Sequence, residues 1–353
     1  MEQFWYKHEL IHYEKVLKNL LNSKNGNIEQ IKDNIEVLNL FKEIERTSFN
    51  MEDILLKDYE NLTKTKFLWK YIENASRLSA IFIPNIPEKE VNLSNKDLIE
   101  VLNDFFKNAT DKKTYELFLK IYKENKKSIH IINKENYYPG DTLYIEYFNK
   151  TYIQIYRSNT FDDITTLAHE FGHAIQYNSN YNINYFKQLS PYVEIISVFF
   201  ELLAIEYFYK TEFKNNAILS EYDLFMDNIG SCKDLKDEFK ILNKVSIMDY
   251  ENKLILKERI KNCIEELPIN YIKYFKDMIP SDFYIYSFAF IIATNIYNIY
   301  KKDREFAFLI LYEIINIDLR INAYEYYQEL EKLDLLKTDG LKAIRHNIKR
   351  RCK

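Results

Sequence analysis

His169-Glu170-Phe171-Gly172-His173 decides how this 353-residue chain is read. Two histidines stand four residues apart, with a carboxylate beside the first. On a helix, positions i and i+4 share a face, so both imidazoles can reach one ion. Glu170 leaves at another angle and can act on a water held there. This is the H-E-x-x-H arrangement of a zinc hydrolase. The chain has six histidines in all, at 8, 12, 130, 169, 173 and 346. The motif stands out against that composition without settling the matter alone.

The motif helix has a readable start. Thr160-Phe161-Asp162-Asp163 puts Thr at an N-cap and an acid at N3, a capping box with Asp in the usual Glu position. Two carboxylates in the first turn also suit the positive end of the helix. The helix is expected to end near Tyr177, before an Asn-rich loop over 178–184. Upstream, residues 142–157 change period. Leu143, Ile145 and Tyr147 alternate with Tyr144, Glu146 and Phe148, and Tyr152, Gln154 and Tyr156 alternate with Ile153 and Ile155. With Asn149-Lys150 between the runs, this predicts a β-hairpin beside the motif helix. Arg157 at its end either meets a substrate carboxylate or lies on the surface. His130 reads as structural or exposed.

The rest reads as helix. Only 5 Gly and 6 Pro interrupt the chain, which argues for long helices and short loops. Residues 1 to about 80 carry apolar side chains at helical spacing (Leu17, Leu20, Leu21; Ile31, Ile35, Leu38). Ile83-Pro84-Asn85-Ile86-Pro87 is a break. Ser94-Asn95-Lys96-Asp97 starts a further helix, and another covers about 113–126. Beyond 190 interruptions are expected near Gly230, Pro268, Pro280 and Gly340. The organisation expected is an N-terminal helical lobe over 1–90 and a metal-site domain over 91–353.

A catalytic zinc takes three protein ligands and keeps one position for water. A third histidine is not in place: the extended three-histidine pattern needs Gly at 176 and His at 179, where this chain has Gln176 and Ser179. Glu194 is the better candidate. Ser190-Pro191 reads as an N-cap and N1 pair, and the helix it opens carries Glu194 near the end of its first turn. Folding back, that helix brings Glu194 beside His169 and His173. Glu201, seven residues on, shares its face and reads as the carboxylate that orients a ligand histidine. Gly172 costs on the order of 1 kcal/mol in a helix interior, and a close approach of another backbone explains its presence. With one Zn2+ per chain, Glu170 is the candidate general base. The oxyanion that forms needs further donors. Tyr284 and Tyr286, in Phe283-Tyr284-Ile285-Tyr286, are the candidates, as catalytic and substrate-binding groups.

Bulk properties exclude other classes. A net charge of −4 and a pI near 6.0 give no footprint for nucleic acid or an anionic membrane. Cys232, Cys263 and Cys352 are odd in number, form no C-x-x-C pair and suggest no disulfide framework. The N-terminus has no apolar signal region, and the apolar run over 283–293 is too short to span a bilayer. A cytoplasmic setting is the expectation, with peptide as partner and the oligomeric state open.

These residues resemble the thimet oligopeptidase and oligoendopeptidase F family of zinc peptidases. Asp163-Ile164-Thr165-Thr166-Leu167-Ala168 with His169 to Ala174 is similar to the family's motif helix. Tyr192-Val193-Glu194-Ile195-Ile196-Ser197, continuing to Glu201, resembles its second helix, whose first Glu is the third ligand. Phe283-Tyr284-Ile285-Tyr286-Ser287 is similar to its paired-tyrosine segment, which faces substrate. The resemblance covers about residues 95–350. It implies a mainly α, multi-helical zincin-type fold with a small sheet, and cleavage of short or unfolded peptides. The chain departs from the pattern in three places. Pro280-Ser281-Asp282 stands where a loop histidine is common, Tyr138-Pro139-Gly140-Asp141 is all that remains of a Gly-rich stretch, and the N-terminal part is short. Two other functions therefore stay open beside a metalloendopeptidase: a non-catalytic peptide-binding module on the same fold, and a maturation protease dedicated to one peptide.

Overall fold

The computed structural model describes residues 15, 17–19, 69–78, 84–133, 139–145, 150–179, 193–244, 282–317 and 323–352. Its helices are α1 (Trp69–Ser76), α2 (Asn95–Ala109), α3 (Lys112–Asn125), α4 (Asp162–Ser179), α5 (Glu194–Phe208), α6 (Lys214–Lys244), α7 (Asp282–Tyr300), α8 (Arg304–Asn316), α9 (Ala323–Lys332) and α10 (Asp339–Arg351). Three short strands, β1 (Ile129–Ile132), β2 (Gly140–Ile145) and β3 (Lys150–Tyr156), lie between α3 and α4. The fold is mainly α with one small sheet, as the sequence implies.

At the centre is α5, buried almost all round through Ile195, Ile196, Val198, Phe199, Phe200, Leu202 and Leu203. A helix apolar on every side belongs inside a helix layer rather than at its surface. It packs against α4 on one side and α7 on the other. The buried face of α4 presents Ile164, Leu167, Ala168, Phe171 and Ile175 to the same core. Among the described residues no helix is long and apolar enough to cross a membrane.

The sheet has the order β1-β3-β2. β2 and β3 form the expected antiparallel pair, with Leu143 opposite Tyr152 and Ile145 opposite Lys150. Lys150 is thus the first strand residue rather than part of a turn, and 146–149 lie outside the described residues. The parallel partner β1, with Ile129 opposite Ile153, is an addition to the sequence reading. Its four residues are all half-buried and show no alternation, so period-two patterning does not reveal it.

Ser94 caps α2 as its sequence suggests, with Asp97 answering in a full capping box. The start of α4 differs from the reading above. Thr160 Oγ1 accepts from Asp162 N at 3.2 Å, while Asp163 turns back past Thr160. One Asp163 oxygen takes Ser158 N at 2.8 Å, and the other takes Asn159 N at 3.1 Å and Arg157 Nε at 2.9 Å. Burial is the reason: Asp163 and Arg157 are both sealed from solvent, and a buried charge needs its counter-charge and donors close by. Arg157 is therefore neither a surface group nor a substrate contact; it ties the end of β3 to the start of α4.

Gly230 does not interrupt the chain. α6 runs through it, since a single glycine costs less than the burial of neighbouring Phe225, Ile229 and Cys232 returns. Gly340 lies in the first turn of α10, where a Cβ would fall 2.3 Å from the Thr294 backbone of α7. It marks a helix contact, and the break expected near it lies just before α10, over 333–338. Most of the lobe expected over 1–90, the Ser190-Pro191 cap, Cys263, Pro268 and Pro280 lie outside the described residues.

Candidate metal centre

Two helices carry the site. His169 and His173 stand one turn apart on α4, and Glu194 is the first residue of α5 rather than the end of its first turn. His169 Nε2 lies 3.2 Å from Glu194 Oε2, and His173 Nε2 lies 3.3 Å from the same oxygen. The three donor atoms all fall within 4.8 Å of one another. Ligand bonds of 2.0–2.1 Å at a tetrahedral zinc place neighbouring donors roughly 3.3 Å apart. The two imidazoles and the carboxylate therefore fit such an ion in both chemistry and spacing.

Gly172 explains how the helices come so close. A Cβ there would lie 2.6 Å from Ser197 Cα and 3.2 Å from Ile196 O. The bare backbone of α4 rests directly on α5, three residues beyond Glu194. Ser197 also holds Glu194 locally, its hydroxyl lying 3.0 Å from both the Glu194 carbonyl and Oε2. Glu194, Ser197 and Glu201 form one stripe at i, i+3 and i+7.

Each histidine is held differently. His169 Nδ1 meets Glu201 Oε2 at 3.1 Å, which leaves Nε2 turned to Glu194. His173 has its Nδ1 buried with no hydrogen-bond partner among the described residues. Its ring instead stacks on Tyr177, one turn further along α4, at 5.7 Å and 18°. Sequence reasoning missed Tyr177. The signal was present, since 169, 173 and 177 are successive positions on one helix face.

Glu170 points from α4 toward the sheet. Thr142 Oγ1 on β2 donates to its Oε2 at 2.7 Å, and the Cα of Gly140 lies beneath its Oε1, where a Cβ would come within 2.5 Å. Burial pushes the Glu170 carboxyl up to about 7, opposed by His169 and His173. Glu194 goes the other way. Burial would raise it, but the His173 and His169 imidazoles hold it well below the usual carboxylate range. His169 is held well above its ordinary value by Glu194 and Glu201 against burial. Two carboxylates in one site, pushed apart by their surroundings, is a common sign of divided roles.

The candidate tyrosines lie at the start of α7. Tyr286 is 41% exposed there, and the Tyr284 side chain lies outside what is described. His130 is half-buried on β1 and stacks on Tyr152 at 5.0 Å, with burial lowering its pKa.

The bond between Glu201 and His169 has a measurable consequence. Loss of a carboxylate behind a ligand histidine typically lowers metal affinity about 10–100-fold. Glu201→Ala is expected to show that loss in a competition titration against a chromophoric chelator, and Glu201→Gln a smaller one. Equal affinity in both variants and wild type would show that Glu201 does not orient the ring.

An H-E-x-x-H helix resting on a second helix that supplies a glutamate, with a small sheet alongside, defines a zincin-type architecture. Solved structures place it more narrowly. A protein assigned as oligoendopeptidase F from Bacillus anthracis str. Ames matches 92% of this chain and 64% of its own length, at TM-score 0.50 and 14% identity. A protein assigned as a peptidase from Chlamydophila abortus matches 98% of this chain and 63% of its own length, at TM-score 0.55 and 13% identity. PZ peptidase A, solved with an inhibitor, matches 96% and 66%, at TM-score 0.52 and 14% identity. The chain thus spans a little under two thirds of these proteins' lengths, and the likeness runs beyond the 95–350 stretch expected from sequence. At such identities it is a likeness of fold: the chain has the oligoendopeptidase F fold. No family model and no curated relative matches it.

Proposed function

We propose that the protein is a zinc-dependent endopeptidase that cleaves short or unfolded peptides. The observation that carries this reading is the meeting of His169, His173 and Glu194 with the Glu170 carboxylate on the same helix turn. The names of the structural neighbours support it. His169, His173 and Glu194 would hold the zinc, which would supply a Lewis acid to polarise a carbonyl and acidify a water. Glu170, on the same helix turn as the two histidines, would accept a proton from a water as its oxygen adds to the scissile carbon. The same carboxyl then delivers the proton to the leaving nitrogen as the C–N bond breaks.

The sheet offers a place for substrate. Tyr156 N donates to Pro139 O at 2.7 Å, which fixes which residues of the antiparallel pair face each other. By the period of two, the odd residues of β2 point their backbone groups at β3, and Gly140, Thr142 and Tyr144 point theirs away. Among the described residues β2 is an edge strand. An extended peptide pairing along it would pass the Glu170 carboxylate, in the manner of strand addition.

The test is a panel of internally quenched peptides of graded length, with protein loaded with one equivalent of zinc or stripped by chelator. Cleavage inside the peptides, lost with chelator and restored by zinc, is the expected result. Stoichiometric zinc without cleavage would leave a peptide-binding module, and absence of zinc binding would remove the reading altogether.

A further inference from the structure

We propose that β2 is the positioning element of the general base. Thr142 commits one Glu170 oxygen by a hydrogen bond, and Gly140 leaves room for the other, so that Oε1 is the oxygen presented for proton transfer. This rests on the peptidase reading above and adds to it two residues of the sheet, outside the two helices that carry the metal donors.

The geometry is specific. Gly140 and Thr142 are two apart on a strand, so both face α4. Thr142 is 5% exposed and Glu170 is 5% exposed, so the 2.7 Å bond between the hydroxyl and Oε2 is shielded from water. Thr142 Oγ1 also lies 3.1 Å from the Glu170 carbonyl, so it spans the backbone and the carboxylate of one residue. A carboxylate on three rotatable bonds loses freedom when one oxygen is bound in this way. Gly140 acts by what it lacks: a Cβ would sit 2.5 Å from Oε1, 3.0 Å from Cδ and 2.8 Å from Thr166 Cγ2. Any larger residue would push the carboxylate off the strand or the strand off the helix.

The arrangement also joins two events. Thr142 points its backbone away from β3 and its side chain inward to Glu170. A peptide that pairs along that side of β2 would meet the same residue that holds the base. Substrate docking and base placement therefore share one strand.

The experiment compares wild type, Thr142→Val and Thr142→Ser as zinc-loaded protein on one quenched peptide, with a crystal structure of each in the metal-free form. Valine keeps the shape and removes the hydroxyl; serine keeps the hydroxyl. The expected result is a kcat about tenfold lower for Thr142→Val. KM and zinc stoichiometry should stay unchanged, and Thr142→Ser should recover most of the rate. In the metal-free crystals, Glu170 should leave its place over Gly140 only in the valine variant. Wild-type kcat in Thr142→Val, or an unmoved Glu170 carboxylate in its crystal, would overturn the proposal. So would equal loss in the serine variant. If wild type cleaves nothing, the peptidase reading falls, and the crystals still decide whether Thr142 positions Glu170.

Discussion

Glu170→Gln is expected to abolish measurable peptide cleavage while the protein still binds one zinc. A general base contributes about 10²–10⁴-fold to rate, and glutamine accepts no proton. The donors that would hold the metal are His169 Nε2, His173 Nε2 and a Glu194 oxygen, so the substitution leaves all three in place. The same variant has an opposite effect on stability. Burial raises the Glu170 carboxyl from 4.5 to about 7 in the folded, metal-free protein. Above about pH 4.5 the unfolded chain releases a proton that the folded chain retains. Wild type therefore loses stability as pH climbs toward 7, by at most about 3 kcal/mol. Glutamine has no proton to lose. Denaturant midpoints of the chelated proteins should nearly coincide around pH 5 and favour Glu170→Gln around pH 8. A variant that loses zinc with its activity would show that Glu170 serves the metal rather than the water.

That site was legible because its chemistry follows local rules. His169 and His173 meet by helix period alone, and Glu194, Ser197 and Glu201 share a stripe by the same rule. Even Gly172 could be read, since a costly residue inside a helix asks for a contact that only glycine permits. Partners distant in sequence were hidden wherever no motif named both of them, as one does for His169 and Glu194. Thr142 looks like any strand threonine, and its partner is 28 residues away. Arg157 looks like a surface cation until Asp163 and burial are seen together.

A buried charge network was hidden for the same reason. The Glu206 carboxylate receives Tyr297, Lys301 and Arg351, and Arg351 also reaches Glu221 at 2.8 Å. These residues come from α5, α6, α7 and the turn after it, and α10, and no spacing along the chain brings them together. A sequence pattern shows which residues share a face. It does not show which face a distant segment will cover.

Gly172→Ala is expected to weaken zinc binding by about 100-fold or more and to lower the melting temperature, although alanine is the better helix former. Propensity favours the change by about 1 kcal/mol. Against it, the new methyl would meet Ser197 Cα at 2.6 Å, Ser197 N at 3.1 Å and Ile196 O at 3.2 Å. These are backbone atoms of a buried helix and cannot swing aside as a side chain would. Overpacking of that kind costs about 1–3 kcal/mol, and more where neither partner can shift. Relief comes only by parting α4 from α5. Glu194 precedes Ser197 by one turn, so parting the helices draws its carboxylate away from both imidazoles, now 3.2 and 3.3 Å distant. A binding site is useful only within about 0.5 Å of its working geometry, and relief of a 2.6 Å contact needs more. Gly230→Ala is the control, because a methyl at that position in α6 meets nothing within 4 Å. It should raise stability by a few tenths to about 1 kcal/mol and leave zinc affinity alone. If Gly172→Ala binds zinc as wild type does, the two helices can separate without moving Glu194, and the close backbone contact would not be what sets the metal site.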